Sequence, residues 1–309
     1  MTGPDIALEM ASQRDGQRFT AGHPVGWLPL ILLPAAVLIS GRLLTPWALM
    51  WGLAIAIYGA LKWMTWWRGR GIVPQVSLRR SLAYLFLWPG MDAPTFLDVR
   101  RTPTPVTRAE LVRAVTTTVL GLFLLFGAVR MVPSSLPLVA GWIGLFSLIF
   151  ILHFGSFRLV SIWWRWLGIE AVPVMRAPVA AASLGEFWGA RWNTAFHVLA
   201  RDYMVRPLRR RIGVPAAMLV AFVGSGLVHD LVISVPAGAG YGLPTAYFSL
   251  QGLALLLERA PVGRRLGLGR GLRGRLFAIA VTALPAFWLF HPAFVVNVVV
   301  PFLRALGAR

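Results

Sequence analysis

Cysteine is absent from this 309-residue chain. That removes disulfides, thiolate nucleophiles and thiolate metal sites together. Charge is scarce: 13% of residues are charged, against about 25% in a soluble domain. Acidic residues are scarcest, with 11 Asp and Glu against 30 Lys and Arg, and Lys62 is the one lysine. Motifs for nucleotide phosphate, zinc-protease or calcium chemistry are missing, so neither a bound metal nor a resident cofactor is expected. No internal repeat is apparent, which disfavours a transporter built from inverted halves. The first 24 residues, MTGPDIALEMASQRDGQRFTAGHP, lack a basic segment followed directly by a short apolar core. They read as a polar tail, 1–24, and not as a signal peptide.

What remains is apolar. The chain is 57% hydrophobic, and its apolar residues come in runs near the ~20 residues that cross a bilayer as helix. Seven spans are expected: Val25–Gly41, Pro46–Trp66, Leu111–Met131, Leu136–Phe157, Val214–Val235, Leu243–Leu257 and Leu276–Phe290. A weaker run, Pro292–Leu306, either spans or lies at the interface. The fold class is an all-α integral membrane protein, a polytopic bundle of about 7–8 transmembrane helices with interfacial or re-entrant helices. The net charge of +19 does not point to nucleic acid, because the arginines sit in the connections between apolar runs. The basic connections are 67–80, 98–113, 158–213 and 258–275, while the turns at 131–137 and 235–242 are uncharged. The positive-inside rule then puts the N-terminus and basic loops in the cytoplasm. The membrane is read as a bacterial inner membrane. Two stretches fit neither loop nor span. SLRRSLAYLFLWPGMD (77–92) is too short to cross, and FRLVSIWWRWLG (157–168) has the tryptophans of a headgroup-layer segment.

The most polar and aromatic stretch is SLGEFWGARWNTAFHVLARDYMVRPLRRRIG, 183–213. Ser183 with Glu186 is a capping-box pattern, so a helix is expected from here to about Arg201. At helical spacing Glu186, Ala190, Asn193 and His197 share one stripe, and Trp188, Trp192, Phe196 and Leu199 fall towards the other side. Pro207 is expected to interrupt the helix. Arg191 and Arg206 suit phosphate groups, and Arg209–Arg211 a cytoplasmic anchor. In the next span Gly224, Ser225 and Gly226 precede His229 and Asp230. An ionisable pair inside a span is costly and points to function. His229 lies about 22 Å along a helix begun at Val214, at 1.5 Å per residue. A neutral, desolvated histidine suits a general base for a hydroxyl.

These residues resemble the membrane-bound O-acyltransferases, specifically their wax synthase-like branch. The resemblance lies in Glu-Phe-Trp-x-x-Arg-Trp-Asn at 186–193, Arg201-Asp202-Tyr203, Arg206-Pro207-Leu208, and the small-residue helix ending in His229-Asp230. Similar features recur at Leu-Phe-Leu-Trp-Pro-Gly-Met-Asp (85–92), His-Phe-Gly-x-Phe-Arg (153–158) and Leu-Phe-His-Pro-x-Phe (289–294). The resemblance runs from about residue 80 and is strongest over 183–231. It implies one membrane acyltransferase domain over 1–309, with its core at 183–260. It also implies transfer of a fatty acyl group from acyl-CoA, as co-substrate, to the hydroxyl of a lipophilic alcohol. A long-chain alcohol is favoured; a sterol, a diacylglycerol or a natural-product hydroxyl are other acceptors. His229 and Asn193 are the implied catalytic residues, with Asp230, His197, Trp192 and Glu186 supporting them and Arg191 and Arg206 near the coenzyme headgroup. Asp230 stands where many relatives carry Glu. Two other readings stay open at this level: a transporter or channel with a His229–Asp230 proton or ion site, and a relative whose site is idle.

Overall fold

The computed structural model describes residues 24–309, so the expected polar tail falls, except for Pro24, outside the described residues. Every regular element among the described residues is helical. In chain order they are α1 Leu28–Ser40, α2 Pro46–Gly69, α3 Leu78–Leu87, α4 Ala93–Leu97, α5 Arg108–Met131 and α6 Pro137–Trp166. Then come α7 Leu184–Glu186, which a wider turn prolongs through Phe187–Arg191, and α8 Thr194–Ala237. The chain ends with α9 Leu243–Arg259, α10 Pro261–Leu266, α11 Gly271–Leu289 and α12 Pro292–Ala305.

Five of these, α2, α5, α6, α8 and α11, are long and apolar enough to cross a membrane by themselves. The runs Leu28–Leu43 and Pro292–Ala305 are shorter apolar helices, and α9 has 17 residues. All eight expected apolar runs are therefore helices. Their outward faces are not those of a protein dissolved in water: Ile39 is 81% and Leu43 89% exposed. Such surface is covered by lipid.

Packing follows the small residues. On α6, Ala140, Gly141 and Gly144 open a seam into which Val295 and Leu303 of α12 fit; a Cβ on Gly144 would lie 2.5 Å from Leu303. On α8, a Cβ at Gly226 would lie 2.6 Å from the Thr245 backbone, so this glycine brings α9 against α8 just before His229. Small residues set close helix approach in this way wherever lipid removes a hydrophobic drive for association.

Three expectations change. FRLVSIWWRWLG is not a separate interfacial segment, because α6 continues through it to Trp166. An ion network holds that end: Glu110 of α5 accepts from Arg158 at 2.9 Å and from Arg165 at 2.6 Å. Trp164 and Arg165 are buried, and Trp163 and Trp166 face outward. Pro207 does not interrupt α8. A π-helical turn, Ala200–Val205, precedes it and the helix runs on through Arg206. The break falls at Gly213, with φ 79° and ψ 163°, a conformation open to glycine without strain. The helix expected from Ser183 to Arg201 is two helices, for a reason that shapes the site.

Candidate active site

Six turns among the described residues are π-helical, with i→i+5 hydrogen bonds, and three lie in the stretch from Phe187 to Ser234. Such turns widen a helix and redirect its side chains, and they are frequent at functional sites. Phe187–Arg191 is the first of the three, closed by the Trp192 amide on the Phe187 carbonyl at 2.8 Å. Trp192 is then extended, and Asn193 adopts the left-handed conformation, φ 42° and ψ 60°. Asparagine tolerates that region better than other residues with a Cβ. Its side chain caps the next helix, Oδ1 accepting from the Phe196 amide at 3.4 Å.

The break is held from outside. The irregular 173–177 segment runs alongside, its Arg176 amide on the Arg191 carbonyl at 2.8 Å and its Val174 carbonyl on the Thr194 amide at 2.9 Å. The Asn193 amide donates to the Met175 thioether at 3.1 Å, while Arg158 holds the Met175 carbonyl. The polar stripe Glu186–Ala190–Asn193–His197 therefore does not exist as one helical face. Asn193 leaves it for the corner between two helices, and His197 lies beyond, its amide on the Asn193 carbonyl at 3.1 Å. With Oδ1 used in the cap, no hydrogen bond among the described residues occupies Asn193 Nδ2.

Helix α7 is fixed at its start by two carboxylates. Ser183 accepts from the Glu186 amide at 2.9 Å. Glu186 turns back to the Ala182 amide at 2.7 Å and pairs with Arg191 at 2.6 Å. The Ala182 amide, first, and the Arg191 guanidinium hold its carboxyl below the usual carboxylate range. Glu258 of α9 reaches across to the Leu184 and Gly185 amides at 2.6 Å and 3.0 Å. The two expected headgroup arginines are thus engaged: Arg191 with Glu186 and the carbonyls of Arg176 and Ala177, Arg206 with Asp202 at 3.1 Å.

His229 ends the regular part of α8. Its Nδ1 lies 2.7 Å from the Ser225 carbonyl. A carbonyl only accepts, so Nδ1 carries the proton and the neutral ring keeps its lone pair on Nε2. No hydrogen bond among the described residues occupies that atom. Asp230 follows and opens the third π turn, Asp230–Ser234. Its carboxylate is satisfied on both oxygens: Oδ1 by Ser234 at 2.9 Å and the Gly242 amide at 2.8 Å, Oδ2 by the Thr245 amide at 3.0 Å and the Thr245 hydroxyl. Asp230 therefore ties the end of α8 to the start of α9.

Asn193 and His229 are not hydrogen-bonded to each other; a run of rings joins their surroundings. Trp192 stacks between His153 and Phe187, at 6.1 Å and 5.6 Å. Phe187 meets Trp188 edge-on at 5.1 Å, Trp188 meets Phe248 at 5.8 Å, and Phe248 lies 4.4 Å from the His229 ring. The Trp188 indole donates to Gln251 at 3.3 Å, and Gln251 donates to the Val281 carbonyl at 2.8 Å. These rings form a continuous aromatic wall that joins the surroundings of the two polar positions.

Residues 171–249 match the family model described as membrane bound O-acyl transferase. The long-chain-alcohol O-fatty-acyltransferase of Simmondsia chinensis is 31% identical over 141 residues, which are 42% of this chain and 40% of that protein. The probable long-chain-alcohol O-fatty-acyltransferase 2 of Arabidopsis thaliana is 32% identical over 143 residues, 42% of this chain and 41% of that protein. Over this segment the chain is similar to the membrane-bound O-acyltransferases and to long-chain-alcohol O-fatty-acyltransferases. The chain spans about two fifths of the length of these curated relatives.

The matched segment holds every expected site residue and also Met175, while Gln251 and Glu258 lie just beyond it; none of these three was an expected site residue. Met175, which receives the Asn193 amide, carries no polar signal and was not legible. Glu258 and Gln251 sit in LQGLALLLER, an apolar helix. Polar side chains inside such a run mark function or a required hydrogen bond, and that signal was available.

Proposed function

We propose that this chain is an acyl-CoA-dependent O-acyltransferase that esterifies a lipophilic alcohol, with a long-chain alcohol as acceptor and a wax ester as product. The observation that carries the reading is the His229–Ser225 hydrogen bond, 2.7 Å, in a segment matched to this family. It presents the basic Nε2 from within a membrane helix. The relatives' names, long-chain-alcohol O-fatty-acyltransferase, support the acceptor class.

In this reading the alcohol gives its proton to His229 Nε2 as its oxygen attacks the thioester carbonyl carbon. The carbonyl π electrons move to oxygen, and Asn193 Nδ2 donates to that oxyanion. Collapse of the tetrahedral intermediate breaks the carbon–sulfur bond and expels the coenzyme thiolate, which takes the proton back from His229. No acyl-enzyme forms. The ring wall from Trp192 to Phe248 excludes water, so that hydrolysis does not compete. Arg191 and Arg206 receive phosphates of the coenzyme by exchanging or sharing Glu186 and Asp202. The domain is the whole membrane body, with 183–260 as its core, and the donor arrives from the cytoplasmic side of a bacterial inner membrane.

Purified protein in detergent is given labelled palmitoyl-CoA with hexadecanol, a sterol, a diacylglycerol, or water alone. The parent forms ester with hexadecanol. His229→Ala lowers the rate by about 10²–10⁴-fold, the worth of a general base, while inserting and folding normally. Parental turnover by that variant overturns the assignment.

A further inference from the structure

His291 and Ser234 take no part in that chemistry, yet a buried relay joins them to it. His291 is 1% exposed and Ser234 is 0% exposed. His291 caps α12, its Nδ1 accepting the Phe294 amide at 3.2 Å. An amide N–H only donates, so Nδ1 holds the lone pair and the neutral ring carries its proton on Nε2. That Nε2 lies 3.4 Å from Ser234 Oγ and donates to it. The Ser234 proton is directed in turn to Asp230 Oδ1 at 2.9 Å, with the Gly240 carbonyl at 3.2 Å. Gly240, at φ +74°, brings the 238–242 loop flat against the ring, where any Cβ would strike the imidazole. The relay thus runs from α12 through the π turn to the residue after His229.

We propose that His291 is a positioning residue for acyl transfer, acting through Ser234 and Asp230 to set where α8 ends and His229 points. The proposal rests on His229 being the base. The geometry favours a directed role over packing alone. A serine hydroxyl has one proton and here faces two acceptors. The donation from His291 Nε2 fills the oxygen's lone pair and turns that proton towards Asp230. Asp230 is also bound to α9 through Gly242 and Thr245. The relay therefore couples α12, α8 and α9 at one point, immediately beside His229.

Three variants separate the roles of the ring. His291→Asn keeps an acceptor for the Phe294 amide, since asparagine is a good helix cap, but is too short to reach Ser234. His291→Gln restores a donor near the position of Nε2. Ser234→Ala cuts the relay without touching the cap. With palmitoyl-CoA and the alcohol the parent uses, His291→Asn lowers kcat about three- to tenfold, the scale of one hydrogen bond, and leaves KM for the donor within about twofold. His291→Gln recovers part of that loss. Ser234→Ala shows the same kcat loss, and adding His291→Asn to it costs nothing more, as expected of two residues in one network. Equal kcat in parent and His291→Asn, with His229→Ala inactive, overturns the positioning role alone. Additive losses in the double variant also overturn it. A His229→Ala sample that keeps parental turnover overturns the base assignment and this role with it.

Discussion

Asn193 holds two jobs in one side chain, and they are separable. Oδ1 caps the helix after the left-handed corner, while Nδ2 has no protein partner among the described residues. Asn193→Gly keeps the left-handed backbone without strain and drops the amide. We expect kcat to fall about 10²–10³-fold, the loss typical of one oxyanion donor, with a melting temperature close to the parent's. Asn193→Ala places a Cβ in the left-handed region, costing about 1–2 kcal/mol, and loses the cap, typically about 1 kcal/mol. It should be both slow and less stable. Equal activity in Asn193→Gly and the parent removes the residue from the chemistry. The asparagine was legible as a candidate because it sits in the quoted motif. Its corner was not, because it depends on Val174, Met175 and Arg176, which arrive from another part of the chain.

At the scale of the element, α7 is short and depends on what caps it. Glu258 satisfies two of its first amides from α9. Glu258→Ala leaves them buried without an acceptor, a cost of about 1–3 kcal/mol. We expect a matching fall in thermal stability in detergent and release of the Phe187–Asn193 corner, read as lower acyl-transfer activity. Glu258→Gln, which keeps one acceptor, should lie between. Glu186 supplies a pH dependence. Its folded pKa is depressed, by the Ala182 amide first and Arg191 next. Its contribution is therefore present above the unfolded carboxylate pKa, about 4.3, and is lost as pH falls through the lower folded value. Melting temperature followed downward from pH 6 should drop less steeply for Glu186→Gln than for the parent; parallel curves would remove Glu186 from the acid response.

At the scale of the whole molecule, orientation follows from the arginines. The uncharged turn 131–137 should face the outside, and the basic segment around residue 182 the cytoplasm. The absence of cysteine makes this measurable without background. Ser134→Cys and Ala182→Cys both lie at exposed positions. An impermeant maleimide on intact cells should label the first and spare the second until the membrane is opened. The reverse pattern inverts the topology and with it the side from which acyl-CoA enters.

Composition and periodicity determined that this chain is helical and lies in a membrane, and they located all eight apolar runs. Bilayer thickness and the cost of an unpaired peptide group leave few other outcomes for such runs. The motif residues were visible because ionisable and amide side chains stand out in apolar sequence. Only the tertiary structure decided how they are used. Local spacing treats 183–201 as one helix, yet contacts from 173–177 and Glu258 break it into a corner. Pro207 reads as a stop, yet a π turn before it lets α8 continue. Asp230 reads as half of an ionisable pair with His229, yet its partners are donors from the 238–242 loop and α9. At the 183–201 corner and at Asp230 the deciding hydrogen bonds come from other segments of the chain, and a local pattern has no access to them.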